Sequence, residues 1–198
     1  MSQGCLNISG LNPIILGKIP TIVLAYLIKI SKIHLGIIIS LSHNPFYYNG
    51  FKIFINSIKI NNQIEKIIAD KISNIFSISQ FLISKKNNFY IFYKTEKKYI
   101  KYCTQYLPNS LNILKIIINC VNRAIFNIVP KIFKKFNNSI IFLEINPNVI
   151  NINDKCGATD LKILKKKIIK YKLDLVISYD GDGDKLIMLD YLGKYSKL

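Results

Sequence analysis

The sequence predicts an α/β protein of two mixed or parallel α/β domains, and three observations carry that expectation. Apolar residues make up 50% of the 198 residues, enough for one sizeable core or two modest ones and too many for a disordered chain. From residue 113 to 178, β-type runs alternate with helical patterns over short connections, which is the pattern of parallel βαβ units. The pattern restarts around Pro108-Asn109-Ser110, which places a domain boundary near residue 110 and divides the chain into 1–110 and 111–198.

In chain order, Ser2–Ser9 reads as the end of a helix with Gly10 as its stop. Pro13–Leu16 is a short apolar strand. Thr21 stands where it can cap a helix running to about Lys32, with Val23, Leu24, Leu27 and Ile28 at helical spacing. Gly36–Leu41 is a buried-strand run that breaks at Ser42-His43-Asn44-Pro45, and Phe51–Ile55 is a further strand after the Asn49-Gly50 turn. Asn62–Ile75 is an amphipathic helix with Ile64, Ile67, Ile68, Ile72 and Ile75 on one face. Ser77–Phe92 shows no period and is expected as loop or marginal structure. Thr95–Leu107 is a helix stopped by Pro108. Then come strand Ile113–Cys120, helix Arg123–Phe136, strand Ile140–Glu144, a loop rich in Asn and Pro, helix Thr159–Lys172 and strand Leu173–Ser178. No internal repeat stands out.

A net charge of +17 ordinarily points to nucleic acid or an anionic membrane. Here the cations are lysines scattered singly, with Arg123 the only arginine, whereas phosphate- and base-reading surfaces favour clustered Arg forks. Ile, Lys, Asn, Tyr and Phe dominate, all with A/T-rich codons, so the basicity reads as mutational bias and no specific nucleic-acid partner is expected. Cys5, Cys103, Cys120 and Cys156 lie far apart with no C-x-x-C pair, which suits reduced thiols in the cytoplasm. No run approaches the ~20 apolar residues of a membrane span, and no signal peptide is visible, so no membrane partner is expected.

Chemistry concentrates in two loops. The first is Asp180-Gly-Asp-Gly-Asp184, between the apolar runs Leu173–Ile177 and Leu186–Leu189. The chain has only 11 acidic residues, and three of them fall within these five positions. Gly181 and Gly183 give the loop freedom to fold back, including positive φ. Three hard oxygen ligands on a tight loop suit Mg²⁺, one ion per chain. A plain polar β-turn is the competing reading, but a hairpin needs one Asp-Gly, and three mutually repelling carboxylates are unfavourable without a cation. An EF-hand does not fit: counting from Asp180, its glycine position holds Lys185 and its closing glutamate position holds Tyr191.

The second loop follows strand Gly36–Leu41, where ligands collect in open α/β sheets. Ser42, His43 and, across the Asn49-Gly50 turn, Lys52 are a phosphate carrier, a proton manager and a charge stabiliser, the parts needed for phosphoryl transfer. Taken singly, each is also an ordinary turn or surface residue.

Residues 39–52, I-S-L-S-H-N-P-F-Y-Y-N-G-F-K, resemble the phosphoserine loop S-A-S-H-N-P-x-x-D-N-G-x-K of the α-D-phosphohexomutase superfamily. Asp180–Lys185 is similar to that family's metal loop, D-G-D-G-D-R. Gly17–Thr21, Pro147–Asn153, Gly157–Asp160 and Leu186–Asp190 support the resemblance. It is greatest to the bacterial phosphoglucosamine mutase branch, with the phosphomannomutase/phosphoglucomutase branch as the alternative. The resemblance implies two sandwich-type domains of the phosphohexomutase kind, the first incomplete. It also implies a phosphosugar substrate, Ser42 as the phosphoryl carrier, and His43 and Lys52 in acid–base and electrostatic roles. Mg²⁺ would be held by Asp180, Asp182, Asp184 and a phosphate oxygen on Ser42, with Lys185 on the substrate. Tyr48 and Lys185 depart from the family's Asp and Arg. The family's opening T-D-G-I-R-G, its sugar-reading E-N-S-G-H and its R-x-S-G-T-E-P phosphate loop have no counterpart, so the expectation is a truncated copy. A non-catalytic remnant that at most binds Mg²⁺ is the other-class reading.

Overall fold

The structure, a computed structural model, describes residues 13–40, 50–76, 90–91, 95–122, 124–136, 140–146, 161–180 and 183–196. Strand β1 (Ile14–Ile15) leads to helix α1 (Thr21–Ser31). The cap expected of Thr21 is not formed. Pro20 takes the N-cap position with ψ 154 and no side-chain bond, while Thr21 is already the first helical residue. Proline has no N–H to lose there, and its carbonyl accepts the N–H groups of Val23 and Leu24. The helix ends at Lys32, left-handed with φ 53, whose N–H returns to the Ile28 carbonyl.

The buried stripe of α1 (Val23, Leu24, Leu27 and Ile28) packs on strand β2 (Leu35–Ile39). Gly36 permits the approach, because a Cβ there would collide with the side chains of Ile28 and Leu24. β2 pairs antiparallel with β3 (Phe51–Ile55), and β3 with β4 (Ile58–Lys59). This antiparallel meander, beside the parallel strands later in the chain, makes the sheet organisation mixed, within the expectation of mixed or parallel α/β domains.

Helix α2 (Asn62–Phe76) is held at its start by Asn61, whose Oδ1 accepts the Ile64 N–H at 2.9 Å, and by a Lys59–Glu65 ion pair at 3.2 Å. Ile64, Ile67 and Ile72 of its apolar stripe are exposed. β5 (Tyr90–Ile91) pairs parallel with β1, a strand too short to carry a period in a stretch expected as loop. Helix α3 (Glu96–Tyr106) stops ahead of Pro108, as its sequence requires.

The run expected as one strand from Ile113 to Cys120 divides. Residues Asn109–Ile113 form a 3-10 turn, and strand β6 is Ile116–Asn119. Helix Arg123–Phe136 is also corrected, into a 3-10 turn at Ala124–Asn127, a one-turn helix α4 (Val129–Ile132) and a 3-10 turn at Lys134–Phe136. Pro130 supplies no N–H, and Ile125, Ile128, Val129, Ile132, Phe133 and Phe136 are all buried, so the apolar residues face inward on every side.

Strand β7 (Ile140–Leu143), helix α5 (Lys162–Lys170), and strands β8 (Leu175–Tyr179), β9 (Leu186–Asp190) and β10 (Tyr195–Ser196) follow. α5 is shorter than the expected 159–172, and β8 begins two residues later than expected. At that start, Asp174 Oδ2 accepts the Lys115 N–H at 2.7 Å. The five strands lie in the order β10-β9-β8-β6-β7, with β6 parallel to both β7 and β8 and β9 antiparallel to β8.

All four residues of β6 are buried because both sheet faces are covered. Ile117, Val176 and Leu189 meet Leu164 and Ile168 of α5 on one face. Ile116 and Ile118 join a larger core on the other, with Val23, Leu24, Phe54, Ile125 and Ile132. That larger core draws on residues from both sides of residue 110. Among the described residues, no helix is long and apolar enough to cross a membrane.

Candidate functional site

The aspartate loop grows out of β8. Asp180 follows the last strand residue, Tyr179, and its own N–H donates to the Lys185 carbonyl at 3.1 Å. In return the Lys185 N–H donates to Asp180 Oδ1 at 3.2 Å, and the Gly183 N–H reaches the Asp180 carbonyl at 3.3 Å. The loop therefore closes on its first residue before β9 begins.

Gly183 has φ +71, and a Cβ there would sit 2.7 Å from Ile125 Cδ1 and 3.6 Å from Pro20 Cβ. Only glycine meets both the left-handed backbone and the close floor. The freedom expected of this residue is thus used; Gly181 lies outside the described residues.

From the other half of the chain comes Lys52. It sits on β3 opposite Ile38 of β2, next to the end of the hairpin where the Ser40 N–H donates to the Gly50 carbonyl at 2.9 Å. Its Nζ stands 3.3 Å from Asp184 Oδ2, with the two side chains 17% and 34% exposed. Two residues singled out from separate loops, 132 positions apart, thus meet. Ser42, His43 and Tyr48 belong to the 41–49 segment, which leaves β2 after Ser40 and rejoins at Gly50; they and Asp182 lie outside the described residues. Lys185 is exposed beside Asp184. Among the described residues, no three His, Cys, Asp or Glu side chains converge on one point.

Behind the loop the wall is apolar and protonated. Burial pushes the Tyr179 hydroxyl up to about 12, with the neighbouring Cys120 and Cys103 adding to the shift. Burial pushes the Cys120 thiol up to about 12 as well, and it raises Cys103 and Tyr99. These thiols are therefore not thiolates at neutral pH and do not supply a nucleophile. One shallow groove of about 540 Å³ lies elsewhere, lined by Lys97, Ile100, Lys101, Thr104, Gln105 and Lys131. Its lining contains no carboxylate, and it is separate from the Lys52–Asp184 contact.

Sequence reasoning passed over the polar residues at the carboxyl ends of β6, β7 and β8. Asn119 and Ser178 are 2% and 0% exposed and bond each other, Nδ2 to Oγ, at 3.3 Å. Asn122 donates to Glu144 Oε2 at 2.6 Å. The available signal was the single asparagine that ends the apolar run Ile116-Ile-Ile-Asn119.

Residues 4–78 match the family model described as phosphoglucomutase/phosphomannomutase, alpha/beta/alpha domain I. The chain is 36% identical over 193 residues to the phosphoglucosamine mutase of Buchnera aphidicola subsp. Baizongia pistaciae, covering 95% of this chain and 42% of that protein. It is 38% identical over 188 residues to the phosphoglucosamine mutase of Blochmanniella floridana, covering 93% of this chain and 41% of that one. A crystal structure of a phosphoglucomutase/phosphomannomutase family protein from Burkholderia thailandensis shares the fold. Its TM-score is 0.70 at 19% identity, over 94% of this chain and 42% of that one. The chain thus spans about two fifths of the length of the curated relatives it matches.

Proposed function

The chain belongs to the α-D-phosphohexomutase superfamily, and on that premise we propose that it carries the phosphoryl-transfer part of a phosphoglucosamine mutase. In this reading glucosamine 6-phosphate and glucosamine 1-phosphate interconvert through a bisphosphate and a phosphoserine. The observation that carries it is the Lys52–Asp184 contact, which joins the strand beside the Ser42 loop to the aspartate loop. The two domains, 1–110 and 111–198, would then contribute one loop each.

The donor set suits a magnesium ion. Asp180, Asp182 and Asp184 offer hard carboxylate oxygens, and the floor under Gly183 leaves no room for a side chain where the loop must turn. One Mg²⁺ per chain, held by these aspartates and a phosphate oxygen on Ser42, would supply charge neutralisation at the transferring group.

The chain's own residues do the rest. The phosphoryl group leaves Ser42 Oγ as the sugar hydroxyl attacks phosphorus; the P–Oγ bond breaks and a P–O bond to the sugar forms. His43 accepts the hydroxyl proton and hands it to the departing Ser42 Oγ. Lys52, as an ammonium beside Asp184, balances the charge on the transferring oxygens. Lys185 meets the substrate phosphate as a point charge, without an arginine's two-pronged grip. After the bisphosphate reorients, its other phosphate returns to Ser42.

The working place in this reading is the cytoplasm, with a phosphosugar as partner and no specific nucleic acid. Mass spectrometry of the 198-residue chain incubated with glucosamine 1,6-bisphosphate tests it. One phosphate on Ser42, absent in Ser42→Ala, is the expected result. Phosphate elsewhere or none overturns it. Glucose and mannose bisphosphates serve as the controls for sugar choice.

A further inference from the structure

Between the carboxyl ends of β6, β7 and β8 lies a turn in an unfavourable conformation. Val121 and Asn122 have φ 50 and 52, two consecutive non-glycine residues in the left-handed region. A β-branched residue there is an outlier that persists only where its surroundings hold it.

Two side chains do the holding. Asn119 Oδ1 accepts the Val121 N–H at 3.3 Å, while its Nδ2 donates to Ser178 Oγ across the β6–β8 register. Asn122, 3% exposed, donates from Nδ2 to Glu144 Oε2, accepts the Asn146 N–H on Oδ1 at 3.1 Å, and gives its own N–H to the Glu144 carbonyl at 2.8 Å. Glu144 is itself left-handed at φ 53.

Residues beside the clamped turn lead to the aspartate loop from two directions. Ser178, bonded by Asn119, stands two residues before Asp180. Ile125, three residues after Asn122, forms the floor against Gly183. Elsewhere β6 and its partner β8 present apolar pairs, such as Ile117 with Val176 and Ile118 with Ile177. The one buried polar pair, Asn119 with Ser178, falls at the strand ends where the metal loop begins.

We propose that Asn119 and Asn122 are positioning residues that clamp the Val121–Asn122 turn and thereby fix the two described ends of the aspartate loop, Asp180 through Ser178 and Gly183 through Ile125, for metal binding. The inference rests on the metal-site reading of that loop.

Calorimetric titration of the full chain with Mn²⁺, paired with thermal unfolding in the absence of metal, tests it. Asn119→Leu and Asn122→Ala should each weaken Mn²⁺ binding about 10- to 100-fold. Ser178→Ala, a smaller truncation chosen to fold, should weaken it several-fold. Adding Val121→Gly to Asn122→Ala should recover most of the affinity, because glycine adopts positive φ without a clamp; a residue that only packs gives no such recovery. Mn²⁺ affinity equal to wild type in folded Ser178→Ala and Asn122→Ala overturns the proposal and leaves the metal site standing. Failure of the unaltered chain to bind Mn²⁺, or equal binding by Asp180→Asn, overturns the metal reading and this proposal with it.

Discussion

Lys52 Nζ lies 3.3 Å from Asp184 Oδ2, a contact that ties the β2–β3 hairpin to the loop between β8 and β9. The lysine side chain is more enclosed than the aspartate's, at 17% against 34% exposure.

The pair is worth little to stability and much to the proposed chemistry. Partly exposed ion pairs contribute roughly 1 kcal/mol or less. Lys52→Met is therefore expected to move the urea midpoint only slightly. Transfer of phosphate to or from Ser42 should slow about 100-fold or more, as when a charge stabiliser is removed from a transfer site. An equal loss in both measurements assigns Lys52 a structural role only.

Gly183→Ala tests the loop floor. With φ +71 and 2.7 Å from a new Cβ to Ile125 Cδ1, strain and overlap act together. A loss of about 2–3 kcal/mol is expected in chemical unfolding. Ile125→Ala in the same chain should return the overlap part and leave the backbone part.

The same logic applies at the α1–β2 contact, far from the site. Gly36→Ala drives a methyl into Ile28 and Leu24. Destabilisation of about 1–3 kcal/mol is expected, and a double-mutant cycle with Ile28→Val should give a favourable coupling of at least about 0.5 kcal/mol. Additive effects contradict the packing described.

Alkaline pH should destabilise the fold through its buried protonated groups. Burial holds Cys120 protonated up to about 12 against an ordinary 9.0, and Tyr179 up to about 12 against 10.0. Both folded values are raised, so the unfolded chain releases these protons first. Their stabilisation is complete below about pH 9 and is lost as pH rises toward about 12. Thermal unfolding across that window should show the fall, with a shallower slope in Cys120→Ala; an unchanged slope places the loss on other groups.

The local structure was legible in the sequence where it depended on neighbouring residues. Phe51–Ile55 and the Asp180–Lys185 loop stand where their patterns place them, because alternation and Gly–Asp spacing act over a few residues. The Lys52–Asp184 meeting followed only from two loops resembling one family, since no spacing rule links residues 132 positions apart. The clamp was hidden for a related reason. Asn119 finds Ser178 through the β6–β8 register, and Val121 carries a φ that its residue type argues against. Arg123–Phe136 misled because its apolar residues satisfy a helical period while being buried on every side, and Pro130, at the start of the one-turn helix, has no N–H to bond back to the preceding 3-10 turn.

The central claim is that the Ser42 loop and the aspartate loop share one metal-centred site. Paramagnetic broadening of backbone amide signals by substoichiometric Mn²⁺ tests it without depending on turnover. The account expects Ser40, Gly50, Phe51 and Lys52 to broaden together with Gly183–Lys185, and Asp184→Asn to abolish both sets. Broadening confined to residues 180–185, or centred anywhere away from the β2–β3 hairpin end, contradicts it.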